Sequence, residues 1–148
     1  MFHLKKIKTC EGRDGEAFSA DLYNDADQIG TVNDSGNGSC TSCYITEKVN
    51  RQAFADFVEK WAVKRKVNPE CELEKLAIDE LLIYNEILKV AKKFAKTNKT
   101  GQVIAELKQH SVVGLHFTGR IMYVPDTISI AEVLTKHNWS DYEAILSI

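Results

Sequence analysis

Apolar and polar positions alternate in the first third of the chain and recur at helical spacing in the middle third. Phe18, Ala20 and Leu22 alternate with Ser19, Asp21 and Tyr23, the pattern of a strand with one buried face. A less regular alternation over Leu4 to Cys10 predicts an earlier strand, and Glu11-Gly12-Arg13-Asp14-Gly15 a turn after it. Asn24-Asp25-Ala26-Asp27 offers turn residues before Gln28 to Val32. A four-residue loop there sets Leu22 opposite Ile29 and Ala20 opposite Thr31.

Phe54, Phe57, Val58, Trp61 and Ala62 follow the i, i+3, i+4, i+7, i+8 spacing of a helix with one buried stripe, and Trp61 is central in it. Asn50 is the candidate N-cap, and Lys64-Arg65-Lys66 places cations in the last turn, where they suit the helix dipole. Asn68-Pro69 resets the chain for a second helix from about Glu70 to Lys96, ended by Thr97-Asn98-Lys99-Thr100-Gly101. Its apolar stripe, from Leu73 through Ala77, Leu81, Tyr84, Leu88 and Ala91 to Phe94, is widened by Ile78, Leu82, Ile83, Ile87 and Val90. So broad a stripe calls for cover on more than one side, by a sheet and by a second copy in a homodimer.

The last third reads as β structure again. Thr118-Gly119 resembles a two-residue hairpin loop between Val112 to Phe117 and Arg120 to Val124, which sets Phe117 opposite Arg120 and Tyr123 over Gly114. Val103 to Leu107 suits a strand or a helical turn. Asp126 or Thr127 can cap a short helix to about Lys136, and Tyr142 to Ile148 a closing strand. The expected architecture is a single α+β domain over residues 1–148, with an antiparallel sheet built from N- and C-terminal hairpins packed against two central helices.

Composition narrows the function classes. The chain has 148 residues, 44% of them hydrophobic, enough for a core without disulfide staples. A net charge of −2 argues against a histone-like nucleic-acid binder or a polyanionic DNA mimic. No apolar run approaches the ~20 residues of a membrane span, and the N-terminus lacks a signal-peptide block, so the expected address is cytoplasmic, with no membrane partner.

Candidate chemistry is sparse. Cys40 and Cys43 form one Cys-x-x-Cys far from Cys10 and Cys71, so thiols are the expectation and no metal or other cofactor is assigned. Asp25 with Gly30 matches an EF-hand start, but Gly36 stands where the bidentate Glu belongs. The histidines lie in no metal-binding spacing, and no Gly-x-Ser-x-Gly elbow surrounds a serine.

Two features remain as binding candidates. The loop from Asn33 to Ser39, with Asp34, Gly36, Asn37 and Gly38, can turn N–H groups inward as anion-binding nests do. Lys89, Lys92, Lys93 and Lys96 share one helix face, within a segment (47–100) carrying 12 basic and 9 acidic residues. An anionic protein partner suits that face better than nucleic acid, because arginine and exposed aromatics are few around it.

Gly15-Glu16-Ala17-Phe18-Ser19-Ala20-Asp21-Leu22-Tyr23, then Ile29-Gly30-Thr31-Val32 and Asp34-Ser35-Gly36-Asn37-Gly38, resemble segments of small bacteriophage and mobile-element proteins. The likeness covers the first third, and Ser39 stands where a further glycine is usual. The resemblance implies a non-enzymatic accessory protein that binds and blocks a host complex, in the manner of an anti-CRISPR-like inhibitor of host defence. Two alternatives stand beside it: a small enzyme or ligand-binding protein using the loop at 33–39, and a weak nucleic-acid binder using the lysine face at 89–96.

Overall fold

The computed structural model describes residues 1–98 and 100–148; Lys99, part of the expected helix terminator, lies outside the described residues. Strands β1 (Phe2–Gly12), β2 (Gly15–Asn24), β3 (Asp27–Asp34) and β4 (Ser42–Ile45) precede helices α1 (Lys48–Arg65) and α2 (Leu73–Thr97). Then come β5 (Gln102–His110), β6 (Gly114–Val124), α3 (Ile130–His137) and β7 (Asp141–Ser147). The class is α+β with antiparallel pairing throughout. The strands divide between two sheets, in the orders β1-β2-β3-β4 and β6-β5-β7, instead of joining into one. The first four strands pair in chain order, β5 pairs with β6 across the turn at 111–113, β7 returns after α3 to the other edge of β5, and two helices separate the groups along the chain. Packing resolves two compact units, Met1–Val63 with Glu72–Leu81 and Lys64–Cys71 with Leu82–Ile148.

In the first unit, the alternation along β2 buries Phe18, Ala20 and Leu22, joined by Leu4 of β1, Ile29 and Val32 of β3 and Ile45 of β4. Phe54, Val58 and Ala62 form the buried row of α1, and the Phe2 ring lies 5.3 Å from that of Phe54 and 4.9 Å from that of Phe57. Trp61 is half-buried beside this row, so Phe54 takes the central place expected for it; the Trp61 indole Nε1 is buried without a hydrogen-bond acceptor among the described residues. The β2–β3 turn is tighter than expected. Asn24 pairs with Asp27, Leu22 with Gly30 and Ala20 with Val32, and a bulge between Leu22 and Tyr23 takes up the extra residue so that Ile29 still points inward. Helix α1 starts at Lys48, and Asn50 lies inside it, donating from its amide to the Glu47 carboxylate at 3.1 Å.

In the second unit β5 is the central strand. Val103, Ala105 and Leu107 face Ile87 and Ala91 of α2 together with Phe117 and Ile145. Ile104 faces the opposite side, where Val124, Val133 of α3 and Trp139 complete a second, smaller core. Asn68 does act as a cap, its side-chain oxygen accepting from the Glu70 amide at 3.0 Å, but it closes a turn and α2 begins only at Leu73. Ser129, not Asp126 or Thr127, caps α3, because a turn in which the Ile128 amide bonds to the Pro125 carbonyl delays the helix.

Thr118-Gly119 is a bulge instead of a hairpin loop. Strand β6 runs straight through it: Ala105 pairs with Ile121 and Leu107 with Phe117, so Glu106 alone stands opposite Thr118, Gly119 and Arg120. Gly119 takes φ +84 at the bulge, a value that suits a bulge and a turn equally, so the same Thr-Gly pair fits either. The reversal lies at 111–113, where the His110 imidazole Nδ1 accepts from the Val112 amide at 3.1 Å. Tyr123 therefore pairs with Val103 and stacks on Phe94, away from Gly114.

Candidate functional site

The glycine-rich loop is bonded to itself. Asp34 Oδ1 accepts from the Gly36 amide at 2.8 Å and Oδ2 from the Thr41 hydroxyl at 2.9 Å. Asn37 Oδ1 accepts from the Ser35 hydroxyl at 2.6 Å and from the Ser39 amide at 3.1 Å. Two of the amides that could have cradled an anion, those of Gly36 and Ser39, are thus turned onto the loop's own side chains. Gly36 is buried at φ +66 and its carbonyl accepts from the Asp14 amide at 2.7 Å; a Cβ there would stand 2.8 Å from the Gly15 oxygen. Only glycine lets the loop lie this close to the β1–β2 turn. Asn37 and Gly38 are exposed.

The Gly36 amide and the Thr41 hydroxyl hold the Asp34 carboxyl below its ordinary value; burial opposes them slightly, and the Lys75 charge adds to the lowering. A carboxyl lowered in the folded state contributes stability above its unfolded value, about pH 4, which is lost as pH falls through the folded value. Asp34→Ala is therefore expected to lower the urea midpoint at pH 7, by an amount that shrinks as the pH is taken down through and below about 4. A loss that does not shrink in acid would assign the effect to something other than this charge.

The lysine candidates lie in the second unit, so loop and lysine face belong to different units. Lys89, Lys92, Lys93 and Lys96 are all exposed on α2, on the side away from Ile87 and Ala91. Lys89 bonds to the Glu86 carboxylate at 2.6 Å; Lys92, Lys93 and Lys96 have no ion-pair partner among the described residues. Ile83 and Val90, seven residues apart on one strip of the same helix, with Val90 one turn before Lys93, are 42% and 40% exposed.

Two buried charges escaped the sequence reading. Glu106 is fully buried on β5, its Oε2 accepting from the Thr118 hydroxyl at 2.7 Å, and the Arg120 guanidinium lies 3.4 to 3.5 Å from its two oxygens. Arg120 also sits 5.5 Å from the centre of the Trp139 ring, tying the bulge to the small core. The available signal was a lone Glu inside the apolar run Val103 to Leu107. Arg65, read from the sequence as one of the last-turn cations of α1, is buried, with a 2.7 Å ion pair to Glu143 and its guanidinium 4.9 Å from the Phe117 ring centre. Each buried charge thus has an oppositely charged partner, Arg120 for Glu106 and Glu143 for Arg65.

Cys40 and Cys43 are both free thiols in different surroundings. Cys40 is exposed and donates to Glu72 at 3.6 Å, whereas Cys43 is paired with Val32 on β4. Burial, and to a lesser degree the Glu74 charge, pushes the Cys43 thiol up to about 11 against the opposing Arg51. Among the described residues no group of three or more His, Cys, Asp or Glu side chains could hold a metal ion, and no helix is long and apolar enough to cross a membrane. Compared with protein-family models, with curated proteins and with solved structures, the chain finds no match.

Proposed function

We propose that the protein is a non-enzymatic binding protein, which docks on an acidic surface of a host macromolecular complex and blocks it, as accessory proteins of phages and mobile elements do. The observation that carries this reading is the exposed side of α2, where Lys92, Lys93 and Lys96 have no ion-pair partner among the described residues and Val90, one turn before Lys93, is exposed together with Ile83. Apolar side chains rimmed by unpaired charge suit a protein interface, in which the apolar part supplies affinity and the rim steers encounter. The loop at 33–39, with its polar groups bonded to one another, supports catalysis or ligand capture less well.

Charge reversal tests it. Lys92→Glu, Lys93→Glu and Lys96→Glu together are expected to leave the circular dichroism spectrum intact and to weaken capture of the acidic partner by about tenfold or more at low salt, with a smaller effect at high salt. Undiminished capture by the folded variant would remove the lysine face from the interface, and multiple turnovers of a target per molecule would overturn the non-enzymatic reading. A homodimer through α2 is the second reading, favoured by Ile83 and Val90; light scattering that gives the 16.7 kDa monomer mass would sink it.

A further inference from the structure

The first sheet has a second face, opposite the buried rows, and its side chains form two rows across all four strands. One is Lys5, Asp21, Thr31 and Tyr44; the next is Lys8, Ser19, Asn33 and Ser42. The middle of both rows is short and polar, and a shallow groove lies there, bordered on the β1 side by Lys6 and Lys8. Lys6 belongs to this face because β1 bulges between Lys5 and Lys8: at φ 51 its side chain turns outward and its ammonium reaches Asp21 at 3.0 Å. At the far edge Tyr44 is 65% exposed. Tyr23 carries His3 stacked against its ring and the Lys5 ammonium 4.2 Å from the ring centre.

Each part has a match in one kind of ligand. Lys5, Lys6 and Lys8 against the Asp21 carboxylate leave the β1 side of this sheet face cationic, although residues 1–46 as a whole carry more acid than base. An antiparallel sheet face with an exposed aromatic ring offers a stacking platform, and the short side chains between ring and cations, hydroxyls and an amide with the Asp21 carboxylate among them, leave room for a backbone to cross. An acidic peptide would satisfy the lysines but would have no use for the ring. We infer that this open face binds single-stranded nucleic acid, with phosphates on Lys5, Lys6 and Lys8 and a base stacked on Tyr44. This interface lies in the first unit and does not depend on the α2 docking surface, which is in the second.

The test is fluorescence anisotropy of the full chain with end-labelled oligothymidylate and oligouridylate of about twelve nucleotides, and with a duplex of equal length. Either single strand is expected to bind at least about tenfold tighter than the duplex, with affinity falling as salt rises. Tyr44→Ala should weaken binding about tenfold, while Tyr44→Phe, which keeps the stacking surface, stays within about twofold of the parent. Lys5→Ala with Lys8→Ala should reduce the slope of log affinity against log salt by about 1.4, two phosphate contacts' worth on a single strand. No anisotropy change up to about 100 µM protein, the weak end of non-specific binding, would overturn the inference. So would equal affinity for the duplex, displacement by polyglutamate as effective as by unlabelled oligonucleotide, or sensitivity to the α2 lysine reversals in place of the sheet variants. Unchanged partner capture by the sheet variants keeps this result separate from the fate of the α2 reading.

Discussion

Phe54→Ala is expected to destabilise the protein by about 3–5 kcal/mol, measured by urea denaturation. The ring is 2% exposed, meets the Phe2 ring edge-on at 5.3 Å and stacks against Phe57 at 5.8 Å, so truncation removes buried area and leaves a cavity between β1 and α1. Neighbouring Trp61→Ala should cost less, because that side chain is half-buried and its Nε1 lies without an acceptor among the described residues. A Phe54→Ala variant within about half a kcal/mol of the parent, or a larger loss at Trp61, would place the centre of this core elsewhere.

The second large effect is expected at the β6 bulge. Thr118→Val with Arg120→Met strips Glu106 of both partners while keeping similar volumes, and leaves a carboxylate buried without its hydrogen bond or counter-charge. That uncompensated charge is expected to cost about 3–5 kcal/mol. Adding Glu106→Leu should return most of the loss, because an apolar side chain at this buried position needs no partner. If the triple variant is no more stable than the double, the cost comes from lost packing around Arg120 and Trp139 instead of from the stranded carboxylate.

The same bulge shows where sequence reading reached its limit. Alternation along β2 and helical spacing in α1 were legible because each reports burial directly: Phe18, Ala20 and Leu22 are the buried set, as are Phe54, Val58 and Ala62. Thr118-Gly119 was not, since a positive-φ glycine satisfies a turn and a bulge equally, and what separates them is a carboxylate twelve residues away in the chain. The division into two sheets was hidden for a related reason: alternation shows that a strand has a wet and a dry face, not which strand lies beside it. Of the binding candidates, the exposure of the lysines followed from spacing alone. The closure of the 33–39 loop did not, because Asn, Asp and Ser beside glycine suit an open nest and a loop folded onto its own side chains alike. The row ending in Tyr44 was out of reach as well, since it requires the register of three strand pairs.

The kink in β1 bears on how the molecule survives at high concentration. β1 is an outer strand of eleven residues, and a straight outer strand of that length would present a ladder of unpaired amides and carbonyls to any neighbour able to add a strand. Lys6, at φ 51, interrupts the ladder near its middle, and Lys5 and Lys8 set charges to either side of the break. An incoming strand would find neither a continuous register nor an uncharged seam, which guards this rim against sheet-to-sheet aggregation and amyloid-like growth.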